Sequence, residues 1–405
     1  VIPGQRVPVR QLTAMARGRR RLRPRPTGHP AADCGAPPRW RELRRVLVVR
    51  PDNLGDVVML TPALRALRRA APTAHIDLLA SPAGAAARQL LPDVDGMLVV
   101  SPSWQDASAR PAGDATRVSW REQALVKMVA TRDYDAMLVF TSARQSPWPA
   151  AHVGLLAGVG IRAVHSAEFG GAVATHWVTP PPEQTHQVDR CLHLLRALGV
   201  PDAGRELRLR VPPDAEATAA QALARAEVGV DQPFTVLAPG GSCSAKCYPA
   251  DRFAAAARRV AEDGLPVLVT GSDSERELLA RVAELAGHPD VRVLEPVSVP
   301  VLTAVVAAAG VVLCNNSGCM HLADAMRTPV VVAYAGTERL EEMRPRSAPA
   351  ALLRRAVSCA PCRQFRCPYR QECLDVAPAE LAFAALRLAV RGERAPVPAG
   401  EGSMP

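Results

Sequence analysis

The stretch VLVVRPDNLGDVVMLTPAL, residues 46–64, decides the fold. Its first four residues form an apolar, β-branched run that reads as a strand buried on both faces. Thr61-Pro62 then opens a helical pattern, with threonine as N-cap and proline at the first helical position. Strand, glycine turn and helix in that order begin a doubly wound α/β fold. A dinucleotide fold would place G-x-G-x-x-G in the turn to receive a pyrophosphate. This turn holds one glycine, Gly55, followed by an acid, Asp56, which speaks against an NAD dehydrogenase.

The same rhythm continues along the chain. Apolar runs at 76–79, 97–100 and 136–140 alternate with helical patterns at 62–70 and 122–131. A second series follows, with runs at 234–238, 266–270, 291–294, 311–314 and 329–334 and helical patterns at 252–262, 274–285 and 301–309. Between them lie Thr179-Pro180-Pro181-Pro182, an amphipathic pattern at 187–198, and Pro212-Pro213. The expectation is α/β: two doubly wound Rossmann-like domains facing across a cleft, at 44–178 and 232–376, joined by 179–231. Ligands of such pairs bind outside the carboxyl ends of the strands, and Asp56 follows the first one. A helix at 378–390 is expected to cross back toward the first domain, leaving a disordered end to the 377–405 segment.

The chain has 405 residues and a net charge of +10. Residues 1–45 hold twelve arginines against Asp33 and Glu42, so the rest is neutral and the charge is an appendage. Residues 1–43, rich in Arg and Pro without apolar periodicity, read as a disordered extension with no specific nucleic-acid partner. It could touch an anionic membrane surface. No apolar run reaches the ~18 residues of a spanning helix. The expected location is cytoplasmic, with peripheral contact at the inner face of the cell membrane left open.

Three further stretches carry chemistry. PGGSC at 239–243 follows a strand, and Gly240, Gly241 and Ser242 offer backbone N–H groups to an anion. Lys246 comes next, one of only two lysines among 49 basic residues, the other being Lys127. In VTGSDSERE, residues 269–277, Ser272 or Asp273 reads as a helix cap, while Asp273 or Glu275 could take a ribose diol. In VVLCNNSGCMHLADAM, residues 311–326, a strand ends at Asn315-Asn316-Ser317-Gly318 and a helix carrying His321 begins at once. Its N-terminus points a positive dipole end at whatever occupies the cleft. Plainer readings stand beside these: a turn or cap role for Asp56, a flexible glycine loop, a packed histidine.

LGDVVMLTPALRAL, APGGSCSAKCYPADRF and NNSGCMHLADAM occur in order within residues 44–376. Together they resemble glycosyltransferase family 9, the heptosyltransferases of lipopolysaccharide core assembly. The resemblance implies a GT-B architecture and transfer of a heptose-like sugar from a nucleotide donor, ADP-heptose in characterised members. It implies inversion, with no cofactor or metal required for catalysis, and a glycan, glycolipid or metabolite hydroxyl as acceptor. Asp56 matches the family's catalytic base and Lys246 the lysine that neutralises the diphosphate. Ser242 matches a phosphate contact and Glu275 an acid on the ribose. Asn316, Ser317, Gly318 and His321 match the second donor motif, where many members carry Asp in place of Asn316. The physical logic agrees: a departing diphosphate needs a metal or fixed charges and dipoles, and no DxD-like site lies near these loops. The alternative is a nucleotide-sugar-binding protein of the same fold without catalysis.

Cys359, Cys362, Cys367 and Cys373 are spaced C-x2-C-x4-C-x5-C, which suggests a structural zinc or iron–sulfur site, with disulfides and free thiols equally open. Trp104, Trp120, Trp148 and Trp177 fall in the acceptor region, where packing is the default and stacking on a sugar the alternative.

Overall fold

The structure is a computed structural model and describes residues 36–105, 115–229 and 232–391. Two parallel six-stranded sheets organise the described residues. The first contains β1 (Arg45–Arg50), β2 (His75–Ala80), β3 (Gly96–Val99), β4 (Ala136–Val139), β5 (Ile161–His165) and β6 (His176–Val178) in the order β3-β2-β1-β4-β5-β6. The second contains β7 (Thr235–Ala238), β8 (Val267–Val269), β9 (Val291–Val293), β10 (Val311–Asn315), β11 (Val330–Ala333) and β12 (Ala350–Leu353) in the order β12-β11-β10-β7-β8-β9. Counted from its own first strand, each sheet therefore runs 3-2-1-4-5-6. The strand order reverses between β1 and β4 and again between β7 and β10, the positions where doubly wound folds open a ligand crevice.

Alternation within each strand builds three apolar layers. Val46 and Val48 of β1, Val236 of β7, and Val312 and Cys314 of β10 belong to one large core that the connecting helices also enter. Leu47 and Val49 face the opposite way, into a cluster with Met137, Val139 and Val164. Leu237, Val311 and Leu313 face a third cluster with Phe253, Val260 and Leu279. Both sheets belong to one compact unit.

Several local expectations change. Residues 36–43 do not continue the expected disordered extension: Trp40 is buried and its indole N–H donates to Leu198 O at 3.0 Å. Residues 1–35 lie outside the described residues. The first helix starts earlier than Thr61: Leu54–Met59 is already helical, so Asp56 stands in its first turn and not in a loop. Thr61 is not a cap, since its hydroxyl donates back to Val58 O at 2.8 Å. The helix Pro378–Arg391 does not cross to the first sheet. Leu381, Ala382 and Ala385 pack on the second, beside Ala333 and Ala335, because the apolar stripe of this helix fits the face left open by β10 and β11. Residues 392–405 lie outside the described residues.

Candidate active site

The loops after β1, β7 and β10 meet at the two reversal points. They enclose a cavity of about 90 Å³ whose wall includes Asp56, Ser242, Lys246, Asn316, Gly318 and His321. Two glycines allow the meeting. A Cβ on Gly55 would stand 2.5 Å from His321 Cδ2, and one on Gly318 would stand 3.2 Å from Leu54 Cδ2. The helices Leu54–Met59 and Gly318–Met326 therefore press glycine against side chain in both directions.

Asp56 is held from beneath by Arg50, the last residue of β1 and fully buried. Arg50 Nη2 donates to Asp56 Oδ1 at 2.8 Å and to Ser142 Oγ at 2.8 Å, while Nε lies 3.1 Å from Asp52 Oδ2. Burial works against the guanidinium charge, but Asp52 and Asp56 outweigh it and raise the Arg50 pKa. Asp52 is pushed upward, by burial first and by Asp56 as well, with Arg50 pulling the other way. Gln145 Nε2 donates to Asp52 Oδ1 at 2.7 Å and Gln105 Nε2 at 3.2 Å, so both neighbouring loops fix this carboxylate.

On the opposite wall the register of β7 with β10 sets Ala238 beside Cys314. Asn315 then reaches across the strand ends: its Nδ2 donates to Pro239 O at 2.7 Å and Gly240 O at 3.1 Å, and its Oδ1 accepts from Tyr248 N at 2.9 Å. This pins both ends of the Gly240–Lys246 loop. Lys246 Nζ forms an ion pair with Glu338. Glu338 also accepts from Asn316 Nδ2 at 2.7 Å and from the Thr337 hydroxyl. Burial opposes the Lys246 charge, yet Glu338 raises its pKa, with a smaller contribution from Asp56. Burial depresses His321 to about 4 despite the upward pull of Asp56, so the imidazole is neutral at pH 7.

The remaining expected site residues surround this core. Ser317 is the N-cap of the His321 helix and makes no side-chain cap bond, which leaves its hydroxyl free of that task. Gly240, Gly241 and Glu275 do not line the cavity. Glu275 completes a capping box with Ser272, accepting from Ser272 N at 2.8 Å, and it lies over Gly240, where a Cβ would come within 1.7 Å of Oε1. Asp273, the other acid considered there, is drawn off to Arg276 at 2.9 Å.

The family model for glycosyltransferase family 9 (heptosyltransferase) matches residues 123–372, more than half of the chain. The chain belongs to glycosyltransferase family 9. It is accordingly an enzyme of glycosyl transfer. It is 26% identical over 312 residues to lipopolysaccharide heptosyltransferase 1 of Pseudomonas aeruginosa, covering 72% of this chain and 79% of that protein. It is 24% identical over 295 residues to lipopolysaccharide heptosyltransferase 3 of Escherichia coli, covering 71% and 82%. Its fold is that of the family 9 glycosyltransferase from Veillonella parvula, at TM-score 0.70 and 18% identity over 88% of this chain and 99% of the other. The E. coli ADP-heptose lipopolysaccharide heptosyltransferase II superposes with TM-score 0.67 at 20% identity, over 86% and 99%. The two-domain GT-B architecture follows.

Within this family 9 fold, three residues escaped the sequence reading. Arg50 and Glu338 were not singled out in the sequence, and Asn315 was named only as part of the strand end Asn315-Asn316-Ser317-Gly318. The parallel register of β10 with β7 and with β11 brings Asn315 and Glu338 to the site, whereas Arg50 meets Asp52 and Asp56 within its own stretch.

Among the described residues, no group of three or more His, Cys, Asp or Glu side chains is arranged to hold a metal ion. Cys359, Cys362, Cys367 and Cys373 are free thiols, close enough that the first three raise the pKa of the fourth, after burial. Their loop bridges the loops that carry Lys246 and Glu338. Ala245 N donates to Phe365 O at 3.1 Å and Gln371 Nε2 to Ser244 O at 2.7 Å. On the other side Cys362 N donates to Gly336 O at 3.0 Å and Arg363 N to Thr337 O at 3.0 Å. Lys246 and Glu338 are thus braced from one segment.

Proposed function

We propose that this enzyme is an inverting, metal-independent heptosyltransferase using a nucleotide-sugar donor, with ADP-heptose as the first candidate. The observation that carries the reading is the union, in one small cavity at two strand-order reversals, of a carboxylate from one sheet with a lysine and a helix N-terminus from the other. In this reading Asp56 removes the proton of the acceptor hydroxyl as it attacks the anomeric carbon, a contribution of roughly 10²–10⁴ in rate. A single displacement inverts the configuration. The departing diphosphate gathers charge where Lys246, Ser242 and the first N–H groups of the Gly318–Met326 helix can meet it. Neutral His321 adds a ring nitrogen without adding charge.

The cavity of about 90 Å³ is far below the ~300–1,000 Å³ of ordinary ligand sites. In this reading the donor's diphosphate displaces Glu338 from Lys246 and the gap between the two facing helices widens. Glu338 holds the diphosphate's place in the absence of donor and, with Asn316 as its hydrogen-bond partner, supplies an acid near the position where many relatives of this fold have one. Among the described residues no helix is long and apolar enough to cross a membrane. Action from the cytoplasmic side, on a glycan, glycolipid or metabolite acceptor, fits this reading.

Turnover of ADP-heptose to ADP in the presence of candidate acceptors tests it, with Asp56→Asn as the control. Hydrolysis or transfer that Asp56→Asn leaves untouched would remove Asp56 from the mechanism. A chain that binds ADP yet turns over no donor would favour the non-catalytic alternative.

A further inference from the structure

The two walls of the site are also tied together away from the cavity, where the interdomain connection begins. The helix Gln187–Ala197 lies on the first domain: Val188, Leu192 and Leu195 share a core with Val57 and Leu64, and Gln187 Nε2 donates to Thr141 O at 3.3 Å. Its first turn reaches the second domain. His186, the N-cap, is held neutral by burial, its pKa depressed to about 4. Its Nδ1 accepts from Val188 N at 3.2 Å, so the ring proton sits on Nε2, which donates to Arg344 O at 3.0 Å. Three residues on, Asp189 Oδ2 accepts from Arg346 Nη2 at 2.5 Å. Among the described residues these two are the only hydrogen bonds between residues 36–211 and residues 232–391.

The far end of this strap is anchored on the site itself. Asp324 is buried in the helix Gly318–Met326, and its Oδ1 accepts from Arg346 N at 3.0 Å, Ser347 N at 2.7 Å and Ala348 N at 2.9 Å. Three amides on one carboxylate oxygen fasten the loop of Arg346 to that helix, whose opening residues Gly318 and His321 line the cavity. At the other end, the helix Leu54–Met59 with Asp56 packs against the helix Gln187–Ala197. A ring results. It runs from the Asp56 helix through Asp189, Arg346 and Asp324 to the His321 helix, and returns across the cavity where Gly55 meets His321.

The links of the ring differ in strength. The Asp324 carboxylate is buried under three amides, whereas Asp189 and Arg346 both keep part of their side chains in solvent. A partly exposed ion pair is weak enough to open. Asp189 also has Arg205 at 3.5 Å, so parting from Arg346 does not leave it without a cation.

We propose that the Asp189–Arg346 strap holds the Asp56 helix and the His321 helix close together and resists the widening that admits the donor. This rests on the reading in which the donor's diphosphate widens that gap, and it adds the residues that oppose it. Neither Asp189 nor Arg346 lines the cavity, so both are positioning residues.

Calorimetric titration of the full chain with ADP tests it, on the unsubstituted chain, Arg346→Met, Asp189→Ala and the double variant. Loss of the strap raises the population of the widened state, so each single substitution should tighten ADP binding about two- to fivefold. The double variant should bind no more tightly than the better single, because one link is cut either way. Arg346→Lys keeps a cation and should return most of the way to the unsubstituted value. A merely structural strap would lower the melting temperature without tightening ADP binding. Unchanged or weaker binding in both single variants therefore overturns the proposal, and so does an additive gain in the double. Asp189→Ala keeps the three amide bonds to Asp324, so the test stands even where Arg346→Met fails to fold. Absence of ADP binding from the unsubstituted chain strikes the donor reading and the strap with it, whereas ADP binding that the variants do not tighten strikes the strap alone.

Discussion

The half of the enzyme built on β1 and the half built on β7 and β10 handle charge in opposite ways. In the first, Arg50 is fully buried and shared by Asp52 and Asp56, with the amides of Gln105 and Gln145 closing the network. Nothing there is free to leave. In the second, Lys246 is partly exposed and its carboxylate partner Glu338 comes from a loop, with no buried arginine beneath it among the described residues. In the proposed reading that pair opens and accepts another anion. A fixed carboxylate suits proton removal, and an exchangeable anion seat suits a diphosphate that must arrive and depart.

The largest way to break the contrast is to remove the base. Asp56→Asn should lower single-turnover transfer by roughly 10²–10⁴ while leaving ADP affinity unchanged, because the amide keeps the volume but not the proton acceptor. Arg50→Met comes next. Removing one partner of a buried charge network costs about 3–5 kcal/mol, so the urea midpoint should fall sharply, and the loss should be the same with and without ADP.

Glu338→Gln sharpens the comparison from the other side. Partial exposure reduces the penalty of stranding Lys246 to about 1–3 kcal/mol. Saturating ADP should restore more stability to this variant than to the unsubstituted chain, since the diphosphate supplies the missing anion. Urea melts of both chains with and without ADP give the answer; an equal ADP effect would separate Glu338 from the donor seat.

The smallest effect concerns His321, which lies between the halves. Burial lowers it to about 4. Between that value and about 6.5 the unfolded chain binds a proton that the folded chain does not, so stability drops as pH falls through this window. The slope is at most about 1.4 kcal/mol per pH unit for this group. His321→Gln should reduce the slope of the stability curve between pH 6.5 and 5, with buried His165 and His186 keeping their own share, and leave the slope unchanged above pH 7.5.

How much of this was legible depended on whether the signal was local. β1, the Gly55 turn, the Gly240–Lys246 loop and the Asn316–His321 motif are each written in a contiguous stretch, and apolar runs bounded by turn residues disclosed most central strands. β5, β6 and β12 were not recognised because they stand toward the sheet edges, with three to five residues each and, in IRAVH and HWV, polar residues inside the run. The helix Pro378–Arg391 was recognised as a helix but assigned to the wrong partner, since amphipathicity says that a face is buried without saying against what. Asn315 and Glu338 depend on register between distant strands, which no window of sequence contains, whereas Arg50 meets Asp52 and Asp56 within its own stretch, where nothing marks it as buried. Their one local hint is position, immediately beside or shortly after a strand's carboxyl end. The cysteine spacing left zinc, iron–sulfur, disulfides and free thiols open, and the brace that its backbone forms with the loops of Lys246 and Glu338 rests on long-range contacts that spacing does not encode.

The most direct measurement is thermal melting with ADP of the unsubstituted chain, Asp56→Asn and Lys246→Ala. At ~100 times its dissociation constant ADP should stabilise the first two by about 2.7 kcal/mol, a shift of several degrees, and leave Lys246→Ala unmoved. An ADP shift lost equally in Asp56→Asn, or absent from the unsubstituted chain, would contradict the division of the site into a fixed base on one sheet and an anion seat on the other.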